Sequence, residues 1–329
     1  MRPTLKDVCR EALVSEATVS RVINDSPLVH ERTRKRVKEV IERLGYTPNA
    51  AARNLSRSKT DTIGVVFHQM SSGFFAQVMD GIDRAARQHG YHILSAFTRN
   101  DQESEREQTC LRLLDEMRAD GVIILDPCVD LKLMEHLKRY RKPIIVLQQE
   151  IEDGVVSSVS VDNRQGAYEG MKHLLSLGHR DILVVRGAAG AQDARLRLEG
   201  CEQALREAGV TQRLFIDGHF SPHDAVEAFR VYSQSHPLPR AIFALNDSMA
   251  MALLRELRVG GVDVPGQVAV LGFDGIEAAE YVGLTTVETP MAEMGEEAVR
   301  VFLRRVETPD APAEHIRLPT RMLIRSTTA

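Results

Sequence analysis

TLKDVCREALVSEATVSRVIN, residues 4–24, has the pattern of two short helices joined by a tight turn. Thr4 offers a side-chain oxygen to the first free backbone N–H groups of a helix, and Asp7 places an acid in its first turn. This pair predicts a helix that begins near Leu5. The chain is then expected to turn at Leu13 before a second helix begins.

A second and a third helix complete a small module. Ser15 is the expected N-cap of a helix from Glu16 to about Asn24, and a third helix is expected over residues 31–44. Apolar residues recur at helical spacing in all three segments, at Leu5, Val8, Ala12, Val19, Val22, Ile23, Val37, Val40, Ile41 and Leu44. Two capped helices across a short turn form a helix-turn-helix, and the third helix closes a core over the pair.

The charge of the chain is divided unevenly. Residues 1–60 hold thirteen Lys and Arg against seven Asp and Glu, a net charge of +6, and the remaining 269 residues carry a net charge of −10. A cationic head suits a polyanion, whose counterions are released when Lys and Arg neutralise phosphates. Charge alone would fit a solvated basic surface equally well, and the helix-turn-helix pattern favours nucleic acid.

The second helix of a helix-turn-helix lies in the major groove of DNA, with its N-terminal side chains at the base edges. Here those side chains are Glu16, Ala17, Ser20 and Arg21. Arg21 is the best single candidate for base readout, because a guanidinium can contact O6 and N7 of guanine together. The alternative for Arg21 is an ordinary surface ion pair with Glu16 or Asp25.

The head resembles the DNA-binding domain of the Lac repressor family of bacterial transcription regulators in three segments, VSEATVSRVIN at 14–24, ERTRKRV at 31–37 and LGYTPNAAARNLSR at 44–57. In that family the last segment is a hinge helix that forms on operator DNA, and its leucine, here Leu55, wedges between base pairs in the minor groove. Residues 49–56 span about two helical turns, too few for a stable isolated helix, so folding on DNA is expected. Leu55 could instead belong to the core of the following domain, but the polar residues 57–61 separate it from the next apolar run and are expected to form a linker.

The resemblance implies DNA contacts residue by residue. It places Thr4, Ser15, Thr18, Ser20, Asn24 and Thr33 at phosphates, Glu16, Ala17 and Arg21 at bases, and Asn49, Ala52 and Leu55 in the minor groove. Leu13 departs from the family pattern by replacing the turn glycine, and His30 by replacing the serine that caps the third helix. A non-glycine residue in a left-handed turn costs on the order of 1 kcal/mol, so Leu13 bears on the turn geometry rather than on the fold.

After residue 61, short apolar runs alternate with amphipathic segments, which is typical of parallel strands buried on both faces. The runs are IGVVF at 63, HILSAF at 92, GVIIL at 121 and PIIVL at 143, then SVSVD at 158, DILVV at 181, AIFAL at 241 and VAVLGFD at 268. Each group of four predicts one doubly wound unit, so the body is expected to be an α/β fold of two lobes with a ligand in the cleft at the carboxyl ends of the strands. The predicted domains are an all-α helix-turn-helix head at 1–48, a hinge helix and linker at 49–60, and a two-lobed effector-binding and dimerisation domain at 61–329.

The body resembles the effector domain of the same family, which is itself related to periplasmic sugar-binding proteins, and the resemblance extends to LPTRMLIRS near the C-terminus. It implies a ligand site at Phe74, Phe75, Arg197, Phe220, Asn246 and Asp274. Such a set suits a sugar, since Asp, Asn and Arg can each engage neighbouring hydroxyls and a Phe ring can cover the apolar face of a pyranose. The residues alone leave other roles open, because the phenylalanines fit core positions and Asp274 fits a turn cap.

Three further features lie near the expected cleft. Asp162 fits a ligand contact and a helix cap equally well. Gln148 and Gln149 stand where the family usually has an acidic residue, and Gly73 replaces a common proline. The effector therefore stays open among a neutral sugar, a sugar phosphate and a purine, and no cofactor is expected.

Motifs of enzymes are missing from the sequence, which has no GxxxxGK[ST], HExxH or GxSxG and no GxGxxG after a strand. The four cysteines are Cys9, Cys110, Cys128 and Cys201; they form no CxxC and fit reduced thiols. No apolar run reaches membrane-spanning length, and the head follows the first Met without a signal peptide. A cytoplasmic protein that is not an enzyme is expected.

The sequence therefore predicts an effector-controlled transcription regulator, a repressor of carbohydrate-utilisation genes. Its expected partners are near-palindromic double-stranded operator DNA, a small-molecule effector and a second copy of the chain, with no membrane. A heptad tail that could join dimers into tetramers is absent, so a homodimer is expected. A sugar carrier would need an export signal and an enzyme would need a general base beside a nucleophile, and neither is found.

Overall fold

The structure is a computed structural model that describes residues 3–23, 25–46, 59–68, 73–98, 103–116, 118–125, 131–151, 154–211 and 213–328. The chain divides into two compact units, residues 1–60 and residues 61–329. The predicted hinge helix lies outside the described residues, as do Asn24, Asn49, Ala52, Leu55 and Cys128.

The first unit contains the predicted helix-turn-helix and its covering helix, as α1 (Leu5–Ala12), α2 (Glu16–Ile23) and α3 (Glu31–Leu44). Thr4 and Asp7 form a reciprocal cap at the start of α1, in which Asp7 also accepts a 2.9 Å hydrogen bond from the Thr4 backbone N–H. Ser15 Oγ accepts from the Thr18 N–H at 3.2 Å and caps α2. The core holds the buried residues Val8, Ala12, Val19, Val22, Val37 and Val40.

At both departures from the family pattern, the head still forms a turn or a helix cap. Leu13 ends α1 in the left-handed conformation, with φ 52°, and its N–H bonds to the Cys9 carbonyl. His30 caps α3 through its ring, since Nδ1 accepts the Arg32 N–H at 3.3 Å. A leucine with an exposed side chain thus replaces the turn glycine, and an imidazole replaces the capping serine.

The first lobe of the second unit contains a sheet of six parallel strands. Their spatial order is β11 (His315–Leu318), β5 (Ser157–Val161), β4 (Ile144–Leu147), β3 (Gly121–Leu125), β1 (Thr62–His68) and β2 (His92–Thr98). Its helices are α4 (Gly73–Gln88), α5 (Glu103–Asp115) and α6 (Leu131–Leu137). β3 and β4 are buried along their full length, which accounts for their continuous Val and Ile runs.

The second lobe contains another six-stranded sheet. Its order is β12 (Arg321–Leu323), β10 (Thr285–Glu288), β9 (Ala269–Asp274), β8 (Ala241–Ala244), β6 (Ile182–Arg186) and β7 (Leu214–Asp217), and only β12 is antiparallel to its neighbour. The helices are α7 (Asn163–Ser176), α8 (Gln192–Glu207), α9 (Pro222–Ser235), α10 (Asp247–Val259) and α11 (Glu277–Tyr281). The predicted α/β fold of two doubly wound sheets is confirmed.

A last helix, α12 (Met291–Glu307), returns to the first lobe and packs against α4. The two backbones touch at glycines. A Cβ at Gly81 would lie 2.0 Å from the Ala292 carbonyl oxygen, and one at Gly295 would lie 2.3 Å from the Val78 carbonyl oxygen. Because no side chain fits at these distances, glycine is required where the helices cross.

The division of the body into two sequence halves was wrong in detail. SVSVD forms β5, which pairs with β4 in the first sheet rather than opening the second. Seven elements that the sequence did not predict are β7, α9, α11, β10, α12, β11 and β12. The unpredicted strands carry weak signals, because β7, β11 and β12 are largely half-buried or exposed and β10 reads TTVE, so none has a continuous apolar run.

The chain crosses between the lobes three times, after Val161, after Glu288 and after Leu318. Two crossings lie side by side, since the Asp162 N–H donates to the Leu318 carbonyl at 2.9 Å. The carboxyl ends of β5 and β10 thus meet the space between the lobes, called the cleft below. No helix in the described part of the chain is long and apolar enough to span a membrane.

Candidate functional sites

The outward face of α2 carries the side chains expected to read DNA bases. Glu16, Ala17, Ser20 and Arg21 are exposed, whereas Val19 and Val22 of the same helix are buried in the head core. This separation follows from the 3.6-residue period of the helix. The exposed face of α2 therefore takes no part in the core of the head.

Arg21 does not form the surface ion pair that was its alternative role. The carboxylate of Asp25 lies instead 3.4 Å from Arg34 Nη1 and 3.2 Å from Lys38 Nζ, both on α3. Among the described residues of the head, Arg21 has no ion-pair partner.

Three side chains expected at phosphates also serve as helix caps or lie beside one. The hydroxyls of Ser15 and Thr18 are 3.0 Å apart at the start of α2. The Thr4 hydroxyl donates to Asp7 at 2.6 Å, and this hydrogen bond lowers the pKa of the Asp7 carboxyl. Thr33 lies half-buried in the first turn of α3. Helix N-termini direct free N–H groups outward, which is the geometry that phosphate oxygens accept.

Arg197 is the centre of the second site. It projects from α8 and is only 1% exposed, the largest side chain among the fully buried ones. Its Nε donates to Asn163 Oδ1 at 2.8 Å, and Nη1 donates to the Leu245 carbonyl at 2.6 Å. These bonds tie α8 to the start of α7 and to the end of β8. Arg197 therefore lies where the chain enters the second lobe from the first.

Asp274, the last residue of β9, faces this guanidinium. Its Oδ1 lies 2.9 Å from Arg197 Nη1, and its backbone has a φ of 114°, a conformation that favours glycine. Burial raises the pKa of Asp274 to about 6, the positive charge of Arg197 opposes the rise, and the nearby Asp193 carboxylate adds to it. The carboxylate is thus held at the carboxyl edge of the sheet at a cost that only neighbouring charge and hydrogen bonds offset.

Two aromatic rings cover the Arg197 guanidinium. The ring centroid of Phe273 lies 3.9 Å from Arg197 Cζ, and that of Phe220 lies 5.7 Å from it. Phe220 has a φ of 61°, and its ring lies so close to Gly187 that a Cβ there would be 2.3 Å from a ring carbon. Half-buried Phe220 is therefore fixed at the edge of the site by backbone on one side and the guanidinium on the other.

Asn246 and Asp162 have structural roles that the structure shows directly. Asn246 Oδ1 accepts the Met249 N–H at 2.9 Å and caps α10, while Nδ2 donates to the Phe220 carbonyl at 3.3 Å. Asp162 Oδ1 accepts the Gln165 N–H at 3.0 Å and caps α7. Each carboxylate or amide oxygen has further lone pairs, so capping does not exclude a ligand contact.

Phe74 and Phe75 lie on α4 in the first lobe. Phe74 is buried in the core and packs edge-on against the half-buried Phe75, with ring centroids 5.7 Å apart. Gly73, at the start of the same helix, would place a Cβ 3.5 Å from Ile276, two residues beyond Asp274. The structure thus brings Arg197, Phe220, Asn246 and Asp274 into one cluster. It also places the start of α4 beside the loop that follows Asp274.

Three buried residues of this cluster were missed in the sequence. Asn163 is the partner of Arg197 Nε. Asp193 lies one helical turn before Arg197, with Oδ2 at 3.8 Å from Nη2, and burial raises the pKa of its carboxyl. Asp247 accepts from the N–H groups of Gly275 and Ile276 at 2.7 and 2.9 Å, and burial followed by the charge of Asp274 raises its pKa to about 8. Only Asp193 had a usable signal, its spacing of four residues from an arginine on a helix.

The two glutamines after β4 are buried, and Gln148 has a φ of 63°. Glu150 is linked to α8, because the Gln192 side chain accepts from its N–H at 2.6 Å and donates to its carbonyl at 3.1 Å. Across the described segments of the chain, no group of three His, Cys, Asp or Glu residues could hold a metal ion.

Comparison with known families gives two matches. The model described as "Bacterial regulatory proteins, lacI family" matches residues 4–49, which include the head helices. The model described as "Periplasmic binding protein-like domain" matches residues 171–328, which include Arg197 and Asp274.

Similar proteins cover the whole chain. The "HTH-type transcriptional repressor PurR" of Photobacterium profundum is 34% identical over 327 residues, 98% of this chain and 97% of that protein. The crystal structure of the Lac repressor dimer bound to operator and the anti-inducer ONPF is similar with a TM-score of 0.90 and 26% identity, covering 100% of this chain and 99% of that one. The complex of the transcriptional regulator CelR with cellobiose has a TM-score of 0.75 and 31% identity, covering 99% and 100%.

Proposed function

The chain belongs to the lacI family of bacterial regulatory proteins and is a DNA-binding transcription regulator with an effector domain, and we propose that it represses carbohydrate-utilisation genes under the control of a sugar. The sugar, or a sugar derivative, is proposed to bind at the carboxyl edge of the second sheet. Its binding changes the affinity of the head for operator DNA.

The head is proposed to contact DNA as the sequence resemblance implies. Residues 1–60 carry a net charge of +6, and α2 presents Glu16, Ala17, Ser20 and Arg21 on its exposed face. A charged surface supplies sequence-independent affinity, and the exposed side chains supply base readout. Thr4, Ser15, Thr18, Ser20, Asn24 and Thr33 are proposed to contact phosphates, and Asn49, Ala52 and Leu55 the minor groove.

A homodimer on a near-palindromic operator is proposed for this chain. The Lac repressor structure to which the whole chain is similar is that of a dimer bound to operator. Two identical heads related by a two-fold axis read the same half-site sequence on opposite strands. The operator is therefore expected to be an inverted repeat with half-sites about one DNA turn apart or slightly more.

The single observation that carries the effector proposal is the buried pair of Arg197 and Asp274, 2.9 Å apart at the carboxyl ends of β8 and β9. Ligands of open α/β sheets bind beyond the carboxyl ends of the strands. Asn246 and the ring of Phe220 belong to the same cluster, and together these groups can meet hydroxyls and the apolar face of a pyranose. Phe74, Phe75 and Asp162 are proposed to complete the site from the side of the first lobe.

A sugar is favoured over a purine because CelR, which is 31% identical to this chain, has been solved as a complex with cellobiose. A purine that stacks on Phe220 is the alternative within the family. The similar proteins are transcription regulators, which agrees with a chain that is not an enzyme. We place the protein in the cytoplasm, where operator DNA is found.

The proposal is tested with the full-length protein by selecting DNA from a random library. The expected product is a near-palindrome whose affinity falls with salt, with a slope of log K against log salt of about −0.9 for each phosphate neutralised. Equal affinity for random DNA, or a flat salt response, would contradict the proposal. Melting curves with sugars, sugar phosphates and purines then identify the effector, since a ligand stabilises by RT ln(1 + [L]/Kd).

A further inference from the structure

The N–H groups of Arg197 are mostly used by the protein itself. A guanidinium has five N–H groups. Nε donates to Asn163 Oδ1 at 2.8 Å, one Nη1 hydrogen goes to the Leu245 carbonyl at 2.6 Å, and Nη1 also lies 2.9 Å from Asp274 Oδ1. Nη1 lies between the Leu245 carbonyl and Asp274 Oδ1, which leaves the two N–H groups of Nη2 for a ligand, and so Nη2 decides which ligand Arg197 can accept.

Asp193 lies beside these remaining N–H groups. Its Oδ2 is 3.8 Å from Nη2, and its Oδ1 accepts the Ala194 N–H at 2.8 Å, which fixes the carboxylate in place. The side chain is on the same face of α8 as Arg197 and is 5% exposed. A ligand oxygen that reached Nη2 would therefore lie next to a carboxylate oxygen.

The cluster contains more negative than positive groups. Asp193 and Asp274 together face one guanidinium, and all three side chains are buried. One ionised carboxylate cancels the charge of Arg197, and any ionisation of the second leaves a surplus. Low-dielectric surroundings strengthen the repulsion of an incoming anion. The ring of Phe273 packs against the guanidinium, with its centroid 3.9 Å from Arg197 Cζ.

Asp274 also has an acceptor that awaits a donor. Its Oδ1 is buried, and no group among the described residues donates a hydrogen bond of good geometry to it, although Arg197 Nη1 lies 2.9 Å away. A buried acceptor without a donor costs free energy that a ligand hydroxyl or N–H would recover. The ligand must then supply donors rather than negative oxygens.

We infer that the effector is a neutral or cationic molecule rich in hydroxyl or amino groups, and that Asp193 excludes ligands with a phosphate or carboxylate beside Arg197. This specificity rests on the proposed function, which makes the cluster the effector site. It excludes the phosphorylated and acidic derivatives of a sugar and keeps the free sugar and its amino derivative.

Thermal shift of the full-length protein with matched sugars tests the exclusion. The first set is glucose, glucosamine, glucose 6-phosphate and glucuronate. The second is galactose, galactosamine, galactose 6-phosphate and galacturonate, and the third is ribose with ribose 5-phosphate. In any set that binds, the neutral or amino member is expected to bind at least about tenfold more tightly than its anionic counterparts. An anionic member that binds as tightly as the neutral one, or more tightly, would overturn the inference.

The substitution Asp193→Asn removes the charge and keeps the size of the side chain. The ratio of neutral to anionic affinity is expected to fall at least about tenfold in this variant. The matched control is Glu202→Gln, which removes a carboxylate on the same helix that lies 3.6 Å from Arg213 rather than beside Arg197. Operator binding by both variants shows that they fold. An unchanged ratio in a folded Asp193→Asn protein would overturn the role of Asp193.

Titration with inorganic phosphate at constant ionic strength tests whether the cluster excludes an anion in the absence of a sugar. This experiment is decisive if no sugar set binds or if Asp193→Asn does not fold. Wild-type protein is expected to show no saturable stabilisation that depends on Arg197. A saturable shift that the Arg197→Lys variant loses would overturn the inference, whereas no shift, or one that Arg197→Lys retains, agrees with it. A sugar phosphate that alters operator affinity would overturn it and leave the proposed repressor intact; failure to bind any selected DNA would contradict the repressor instead.

Discussion

Arg197 has a structural part and a ligand-binding part, and the two cannot be separated by deleting its side chain. Its hydrogen bonds to Asn163 and to the Leu245 carbonyl join α7, α8 and β8 inside the second lobe. Arg197→Ala would leave those acceptors and two carboxylates buried without their donor, which is strongly destabilising. Asp274 is the better residue to substitute, because it lies at the end of a strand and Asn preserves its size.

The pKa of Asp274, raised to about 6 from 3.8, predicts how effector binding depends on pH. A ligand hydroxyl donates to the ionised carboxylate, so affinity should be constant above about pH 7 and fall about tenfold per pH unit below 6. The stability of the free protein changes in the opposite direction. The folded state holds the Asp274 proton more tightly than the unfolded chain does. The contribution of this proton to the free energy of unfolding is therefore full below the unfolded pKa and is lost as the pH rises through about 6.

Calorimetric titration with the identified effector between pH 5 and pH 8 measures this dependence. Asp274→Asn should bind weakly at every pH and lose the dependence on pH, while retaining operator binding. Glu202→Gln, remote from the guanidinium, should keep the wild-type profile. Equal affinity of the wild-type protein at both ends of the range would show that Asp274 does not accept from the ligand.

Arg21→Ala should weaken operator binding by roughly 1 to 3 kcal/mol, and only for operators that retain the preferred base pair at one position of each half-site. The reason is that a guanidinium on the exposed face of α2 contacts a guanine edge. Arg43→Ala, which removes an arginine paired with Glu11 on α1, is the control and should leave the preference unchanged. Anisotropy titrations with operators altered one base pair at a time measure the loss of operator affinity and the base-pair preference of each variant. Uniform weakening on every operator would reassign Arg21 to a phosphate.

At the level of helices and strands, local signals were enough where the interaction is local. The caps at Thr4 and Ser15 and the bounds of α3 follow from residues within one turn of each other. The assignment of β5 to the first sheet failed, because an apolar run indicates a buried strand and carries no information about which sheet it joins. The three crossings between the lobes could not be predicted from the sequence for the same reason.

The same distinction holds for the candidate site. Arg197, Phe220, Asn246 and Asp274 were found through a resemblance that covers the chain, and the structure brings these four together. Asn163 is 34 positions from its partner Arg197, so no local pattern could reveal the pair. Asp193 was within reach, since a carboxylate one helical turn before an arginine is a recognisable pair.

The contact of α4 with α12 gives a test of packing. Gly81→Ala would place a methyl group 2.0 Å from the Ala292 carbonyl oxygen, so the helices must separate, and we expect the free energy of unfolding to fall by about 2 kcal/mol. Gly73→Ala on the same helix is the control, because its methyl group would lie 3.5 Å from Ile276, an ordinary contact. Urea unfolding followed by circular dichroism compares the two variants. Equal stability of Gly81→Ala and wild type would mean that the helices do not approach as closely as described.

At the level of the whole molecule, residues 49–61 connect the proposed effector site in the body to the DNA-binding head. Most of that segment, including Leu55, lies outside the described residues. In the sequence, PNAAARNL resembles the hinge helix of the family. Coupling through such a segment must be reciprocal, typically by roughly 1 to 3 kcal/mol.

Leu55→Ala separates the hinge from the body. If Leu55 wedges into the minor groove, the substitution should weaken specific operator binding by a few kcal/mol and leave the effector affinity of the DNA-free protein unchanged. Leu28→Ala is the control, because Leu28 is 81% exposed in the loop between α2 and α3. Parallel calorimetry and DNA titration distinguish the outcomes. Loss of effector affinity together with operator affinity would place Leu55 in the core of the body.

The most direct test of the central claim, that a ligand in the cleft controls operator binding, is an anisotropy titration of the selected operator with and without the identified effector. We expect the effector to change the operator Kd by about 5- to 150-fold, and saturating operator to change the effector Kd by the same factor. Asp274→Asn should bind the operator and not respond. An operator Kd that stays the same at saturating effector would contradict the account.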